Sequence, residues 1–172
     1  MFYQLTRLAE LGTAKGLEGW WYPLYQKMLQ VYTAGGYAGT QNLVVGPQTV
    51  LIDPWNTYVI PDFVVFTPII NGGLANASRF FLAMEIKQMT GGHGAYPTVA
   101  DMDNAKADAT YQLQCAREAV NNPAATLYSV ACAGNEWSWR SWRRNVAGNW
   151  ALLTHWSANF DENTSLAAQM QV

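Results

Sequence analysis

The chain has 172 residues, half of them apolar and 13% charged, with a formal net charge of −2 and a pI near 5.6. So small a charged share excludes a disordered or tail-like polypeptide, and the length predicts a single domain with a core that needs no staples. The weak acidity offers no global attraction to nucleic acid, so binding of that kind has to rest on a local basic patch or on bound cations.

In chain order, "FYQLTRLAEL" and "LEGWWYPLYQKMLQVY" read as helices. In the second, Trp21, Leu24, Tyr25, Met28 and Tyr32 fall near helical spacing and Pro23 lies in the first turn. "GGYAG" interrupts, and "NLVVG", "TVLID" and "YVIPDFVVF" read as three short strands of a meander. "TPIINGGLANAS" reads as a loop, and "RFFLAMEIKQ" has the apolar density of a central strand. After the loop "TGGHGAYPTVAD", an alanine-rich helix is predicted from an N-cap at Asp103. Ala105, Ala109, Leu113, Ala116 and Val120 form its stripe, and Asn121-Asn122-Pro123 stops it. "TLYSVACAGNEWSWRSWRR" reads as two strands joined at Gly134-Asn135, "NWALLTHWS" as an edge strand and "SLAAQMQV" as a terminal helical turn.

A helical crossover between strands makes them parallel, so this order predicts an α/β fold with a mixed central sheet flanked by helices. Cys115 and Cys132 are the only cysteines and fit buried thiols in a reducing compartment better than a disulfide or zinc framework. No apolar run approaches the roughly 18 residues of a membrane span, and the N-terminus has no signal-peptide pattern; cytoplasm or nucleus is the expected location.

Side chains alternate along a strand, so Glu85 and Lys87 project together while Met84 and Ile86 face the other way. If the strand ending at Phe66 pairs antiparallel with residues 80–88, Asp62 approaches Glu85 and Lys87. Two carboxylates so placed repel unless a divalent cation lies between them. Magnesium suits such a pair, because it takes hard oxygen ligands and is commonly held by one or two carboxylates, waters and phosphate oxygens.

Pro61-Asp62 and Glu85-Ile86-Lys87, 23 positions from acid to acid within apolar strands, resemble the motif of the PD-(D/E)XK nuclease superfamily. The likeness extends over residues 17 to 133, whose element order is similar to the family's α-β-β-β-α-β restriction-endonuclease-like core. It implies metal-dependent phosphodiester hydrolysis with Mg2+ or Mn2+ held by Asp62, Glu85 and the main-chain carbonyl of Ile86, and with Lys87 placing the attacking water. It further implies an acid on the first helix, for which Glu18 is the candidate with Glu10 behind it. On the second helix it implies a glutamine, Gln112 or Gln114; the tyrosine that follows this glutamine in one branch is absent, since Ala116 and Glu118 stand there. Asp53 and the loop residue His93 are accessory candidates, although an aspartate before proline also forms turns and a lone loop histidine is commonly surface.

Arg140, Arg143 and Arg144, interleaved with Trp137, Trp139 and Trp142, form the one basic and aromatic cluster in the sequence. Guanidinium groups pair with phosphates and indoles stack on unpaired bases, so this is the candidate nucleic-acid surface; packing alone also explains such a pattern. The expected function is a magnesium- or manganese-dependent nuclease acting on DNA or RNA. The alternative is a binding or scaffold protein that keeps the fold while cleavage is weak or lost, and a third reading, a sugar-binding module, is opposed by the alanine-rich helix. The apolar composition permits a homodimer.

Overall fold

The computed structural model describes residues 21–34, 43–52, 55–56, 58–71, 74–90, 97–118 and 126–157. Among these, helices α1 (Tyr22–Ala34) and α2 (Val99–Glu118) lie on opposite faces of a six-stranded sheet. The sheet is formed by β1 (Val44–Pro47), β4 (Phe63–Asn71), β5 (Leu74–Lys87), β6 (Thr126–Ala133), β7 (Glu136–Arg144) and β8 (Trp150–Thr154), in that spatial order. The remaining strands, β2 (Leu51–Ile52) and β3 (Tyr58–Val59), pair only with each other. All ladders of the main sheet are antiparallel except β5 with β6, which the α2 crossover makes parallel. The mixed α/β sheet is as expected.

Alternation along the strands assigns the two cores. Phe63, Val65, Met84, Ile86, Val130 and Cys132 pack with Trp21, Leu24, Tyr25, Met28 and Leu29 of α1. The intervening positions meet α2: Val64 joins Cys115 and Ala116, Ala131 joins Ala105 and Ala109, and Leu127 joins Leu113. Small residues on the α2 stripe let that helix lie close to β6, where Ser129 Oγ donates to the Ala109 carbonyl at 3.0 Å. The Tyr25 hydroxyl crosses from α1 to donate to the Gly134 carbonyl at 2.7 Å. That glycine opens the two-residue β6–β7 turn at φ +55°, where a β-carbon would come within 2.3 Å of Met89 Sδ.

The structure departs from the sequence reading at four places. Residues 58–66 are not one strand: Pro61 supplies no N–H, the chain bends at Asp62, and Tyr58–Val59 belongs to the small ribbon rather than the meander. Residues 67–71 and 74–78, expected within a loop, are strand, with Asn71 opposite Leu74 in a long β4–β5 hairpin. The main-sheet meander is therefore β1, β4 and β5, with the ribbon inserted between β1 and β4. Helix α2 starts at Val99 rather than after Asp103, which lies exposed within it. The first predicted helix, the terminal turn after Ser165, and Asp53, Glu10, Glu18 and His93 fall outside the described residues.

Thr98 is the cap of α2. Its hydroxyl accepts from the Asp101 N–H at 3.2 Å while Asp101 Oδ2 accepts from the Thr98 N–H at 2.8 Å, a reciprocal capping box. Asp101 also accepts from the Thr90 N–H at 3.1 Å, which ties the end of β5 to the start of the helix. Burial opposes the Asp101 charge, but the hydrogen bonds from Thr98 and Thr90 outweigh it and hold the carboxyl below its ordinary range. A depressed folded-state pKa contributes stability that is present above the unfolded value, about 4, and is lost as pH falls through the folded value. Asp101→Asn should therefore be less stable than the parent by about 1–3 kcal/mol at neutral pH. Urea titrations at successively lower pH should show the gap closing below about pH 4.

Candidate functional site

The site forms where β4 begins and β5 ends. The register pairs Phe63 with Met84, so Asp62 stands across from Glu85 one step beyond the ladder. The turn after β1 fixes the backbone there, with the Gln48 N–H donating to the Asp62 carbonyl at 3.0 Å. Asp62 and Glu85 are 8% and 7% exposed, so both carboxylates have lost most of their water.

Each is held from a different direction. Asp62 Oδ2 accepts from the Ile86 N–H at 2.7 Å, taking the place of the β4 backbone where that strand has not begun. Its Oδ1 accepts from the Tyr22 hydroxyl of α1 at 2.5 Å, and the Tyr22 ring meets Phe63 edge-on at 5.7 Å. In an extended strand a residue's N–H and C=O point to the same neighbour, so the Ile86 carbonyl also faces the Asp62 edge. Glu85 turns to α2: Oε1 meets the Lys87 ammonium at 2.6 Å and Oε2 accepts from Gln112 Nε2. Lys87 also pairs with Asp108 of α2 at 2.7 Å. Burial opposes the Lys87 charge, but the hydrogen bonds to Asp108 and Glu85 outweigh it and raise its pKa well above the ordinary lysine value.

The expected meeting of Asp62, Glu85 and Lys87 needs one correction: besides Glu85, the acid paired with Lys87 is Asp108, and Asp62 is bonded instead to Tyr22 and the Ile86 backbone. Burial pushes the Cys132 thiol pKa up, and the negative charges of Asp62 and Glu85 both add to the rise. Cys132 lies beside Ile86 in the parallel ladder. Cys115, also a buried free thiol as expected, donates to the Leu51 carbonyl.

Gln112 is brought to the site and Gln114 is not, since it lies exposed on another side of α2. Arg143 and Arg144 are exposed near the end of β7, where Arg144 Nε donates to the Gly148 carbonyl at 3.1 Å. Arg140 is only partly exposed and stacks on two indoles. Trp137 and Trp139 are partly buried and pack on the α1 core. Sequence reasoning missed Asp108 and Tyr22. Asp108 was legible as the residue one turn before Gln112, on the same side of the helix.

Among the described residues no three His, Cys, Asp or Glu side chains converge as a metal-holding group. A divalent cation here would rest on two carboxylates and a main-chain carbonyl, a donor set that suits a hard cation retaining waters. Glu85 spends two of its roughly four lone-pair positions on Lys87 and Gln112, which leaves capacity for a ligand bond. Gln112 Oε1 is buried beside it with no donor, and a water held next to Glu85 would supply one. The donor types suit the group, although Asp62 is bonded towards α1 and Glu85 towards α2, so the two carboxylates would have to turn towards each other to share one ion.

No family model matches the chain, and neither the curated proteins nor the solved structures compared with it give a match. Among the described residues no helix is long and apolar enough to cross a membrane.

Proposed function

We propose that the chain is a divalent-metal-dependent nuclease with a restriction-endonuclease-like core, hydrolysing phosphodiester bonds of nucleic acid. What carries this reading is the pair of buried carboxylates, Asp62 and Glu85, standing opposite each other at the ends of β4 and β5 with the Lys87 ammonium on one of them. The fold is compatible with it: a helix, a three-stranded antiparallel unit, a crossover helix and a parallel strand follow in order, with the β2–β3 ribbon inserted.

In this reading Asp62, Glu85 and the Ile86 carbonyl hold Mg2+ or Mn2+, whose chemistry when bound is to neutralise the scissile phosphate and lower the pKa of a water. Tyr22 fixes the Asp62 carboxylate through Oδ1, and the Ile86 N–H fixes it through Oδ2. Lys87 presents an ammonium that donates to the attacking water or to a phosphate oxygen, and Asp108 keeps that ammonium charged and aimed. Gln112 braces Glu85 with its amide N–H and offers its oxygen as a hydrogen-bond acceptor that would orient the water.

Incubation with single- and double-stranded DNA and RNA, with manganese or with chelator, tests the reading. Cleavage is expected with metal, none with chelator, and a loss of about 10²-fold or more in Glu85→Gln, which keeps the shape of the side chain and removes its charge. Metal-independent cleavage, or cleavage indifferent to Glu85, overturns it. Binding without cleavage by the parent chain favours the scaffold reading instead.

A further inference from the structure

Helix α2 carries a second cluster of charged and aromatic neighbours. Lys106, Thr110, Leu113 and Arg117 recur at helical spacing along its flank towards β7, about a third of a turn or more from the Asp108 and Gln112 stripe. On that flank five side chains, from α2, from β7 and from the segment after β8, alternate cation and indole. The Lys106 ammonium lies 6.0 Å from the Trp156 ring, and the Arg140 guanidinium lies 4.7 Å from Trp156 and 5.5 Å from Trp142. The Arg117 guanidinium lies 4.5 Å from Trp142. All five are partly exposed, so the ladder lies at the surface.

Its centre is under tension. Burial lowers the Arg140 pKa and the nearby Arg117 charge lowers it further. Arg140 Nε and Nη2, the edge of the fork that pairs with two oxygens of one phosphate, are buried and bonded to nothing. Stacking on indoles offsets part of the cost of bringing these cations together, but it satisfies neither of the two Arg140 N–H groups. A ligand that supplies oxygens and negative charge would do both. Because each indole already lies against two cations, the ladder offers charge rather than a bare ring for base stacking.

We infer that the Lys106–Trp156–Arg140–Trp142–Arg117 ladder is a track for the phosphodiester backbone of nucleic acid, separate from the carboxylate site and carried by the same helix. The inference rests on the nuclease reading for its choice of polyanion. Lys106 and Arg117 are separated by about 16 Å along the helix axis, roughly five nucleotide steps of one strand, which matches a row of phosphates better than a single one. A helix about 10 Å wide separates the track from Glu85, a gap that a few nucleotides span. The contact is to phosphates, so it orients the polymer without reading its sequence.

The test is binding of a labelled single-stranded DNA oligonucleotide, with a duplex as second arm, in chelator so that nothing is cut. Lys106→Gln and Arg117→Gln should each lower the slope of log affinity against log salt by about 0.7 on the single strand and about 0.9 on the duplex. Arg140→Lys, which keeps the charge and is gentle on the fold, should weaken binding severalfold with the slope unchanged, because only the fork is lost. Unchanged affinity and slope in all three variants overturn the track, as does an absence of binding by the parent chain. Inorganic phosphate that displaces the oligonucleotide at equal phosphate concentration also overturns it, assigning the ladder to free phosphate. Metal-dependent cleavage is measured separately: if it persists while the track fails, the nuclease reading stands, and if it is absent while the salt slopes still shift, the track stands alone.

Discussion

Lys87→Ala is expected to lower metal-dependent cleavage by about 10²- to 10⁴-fold, equivalent to about 3–5 kcal/mol of barrier. The side chain is the cation bonded to Glu85, and the hydrogen bonds to Glu85 and Asp108 favour its charged form, so its role is to donate rather than to accept a proton. Removing it should depress turnover while substrate affinity changes little, since the phosphate track lies elsewhere. Lys87→Arg should not restore activity, because the guanidinium fork cannot occupy the space of a compact ammonium between Oε1 of Glu85 and Oδ2 of Asp108. Asp108→Asn removes only the outer clasp and should cost less than about tenfold. Single-turnover cleavage by each variant, with thermal melting alongside, separates this from unfolding: Glu85 is buried but keeps Gln112 as a donor in the absence of Lys87. Full activity in Lys87→Ala would remove the residue from the mechanism.

Much of this site was legible because strand geometry is rigid. Period-two alternation placed Glu85 and Lys87 together and Ile86 behind them, and the antiparallel register brought Asp62 opposite Glu85. What the alternation does not contain is the direction in which a residue at a strand's end turns. Asp62 precedes β4, so no ladder holds it, and its carboxylate takes the N–H that β4 leaves unpaired on Ile86 and the hydroxyl that α1 offers. Asp108 was missed because it is an exposed charge on a helix, a kind of residue with many uninformative instances. Its meaning comes from Lys87, 21 positions away, which only the packing of α2 brings near.

The same distinction runs through the fold. The two-residue turn at Gly134-Asn135 and the small-residue stripe of α2 were readable because each depends on local chemistry. The β4–β5 hairpin was cut short because Pro68 and Asn76 are loop formers by propensity, whereas pairing between two long strands carries the strands through both positions. The start of α2 was placed late for a related reason: Asp103 has the side chain of a cap, but Thr98 and Asp101 satisfy each other three residues apart and capture the free N–H groups first.

Trp21→Ala is expected to destabilise the chain by about 3–5 kcal/mol, because the indole is fully buried among α1 and the sheet and its removal leaves a cavity that the strands cannot close. Urea unfolding should show a lower midpoint with an unchanged slope. Trp21→Phe should cost only about 1–2 kcal/mol, since the smaller void is offset by removing an indole N–H that has no acceptor. The pair also bears on the site. Tyr22 follows Trp21 at the start of α1, and its hydroxyl holds one oxygen of Asp62. Loosening this end of α1 releases that carboxylate before the chain unfolds, so Trp21→Ala should lose cleavage at temperatures where it is still folded, while Trp21→Phe, with the helix seated, should retain it. Equal loss in both would mean that the indole nitrogen, rather than the packing of α1 on the sheet, sets the position of Asp62.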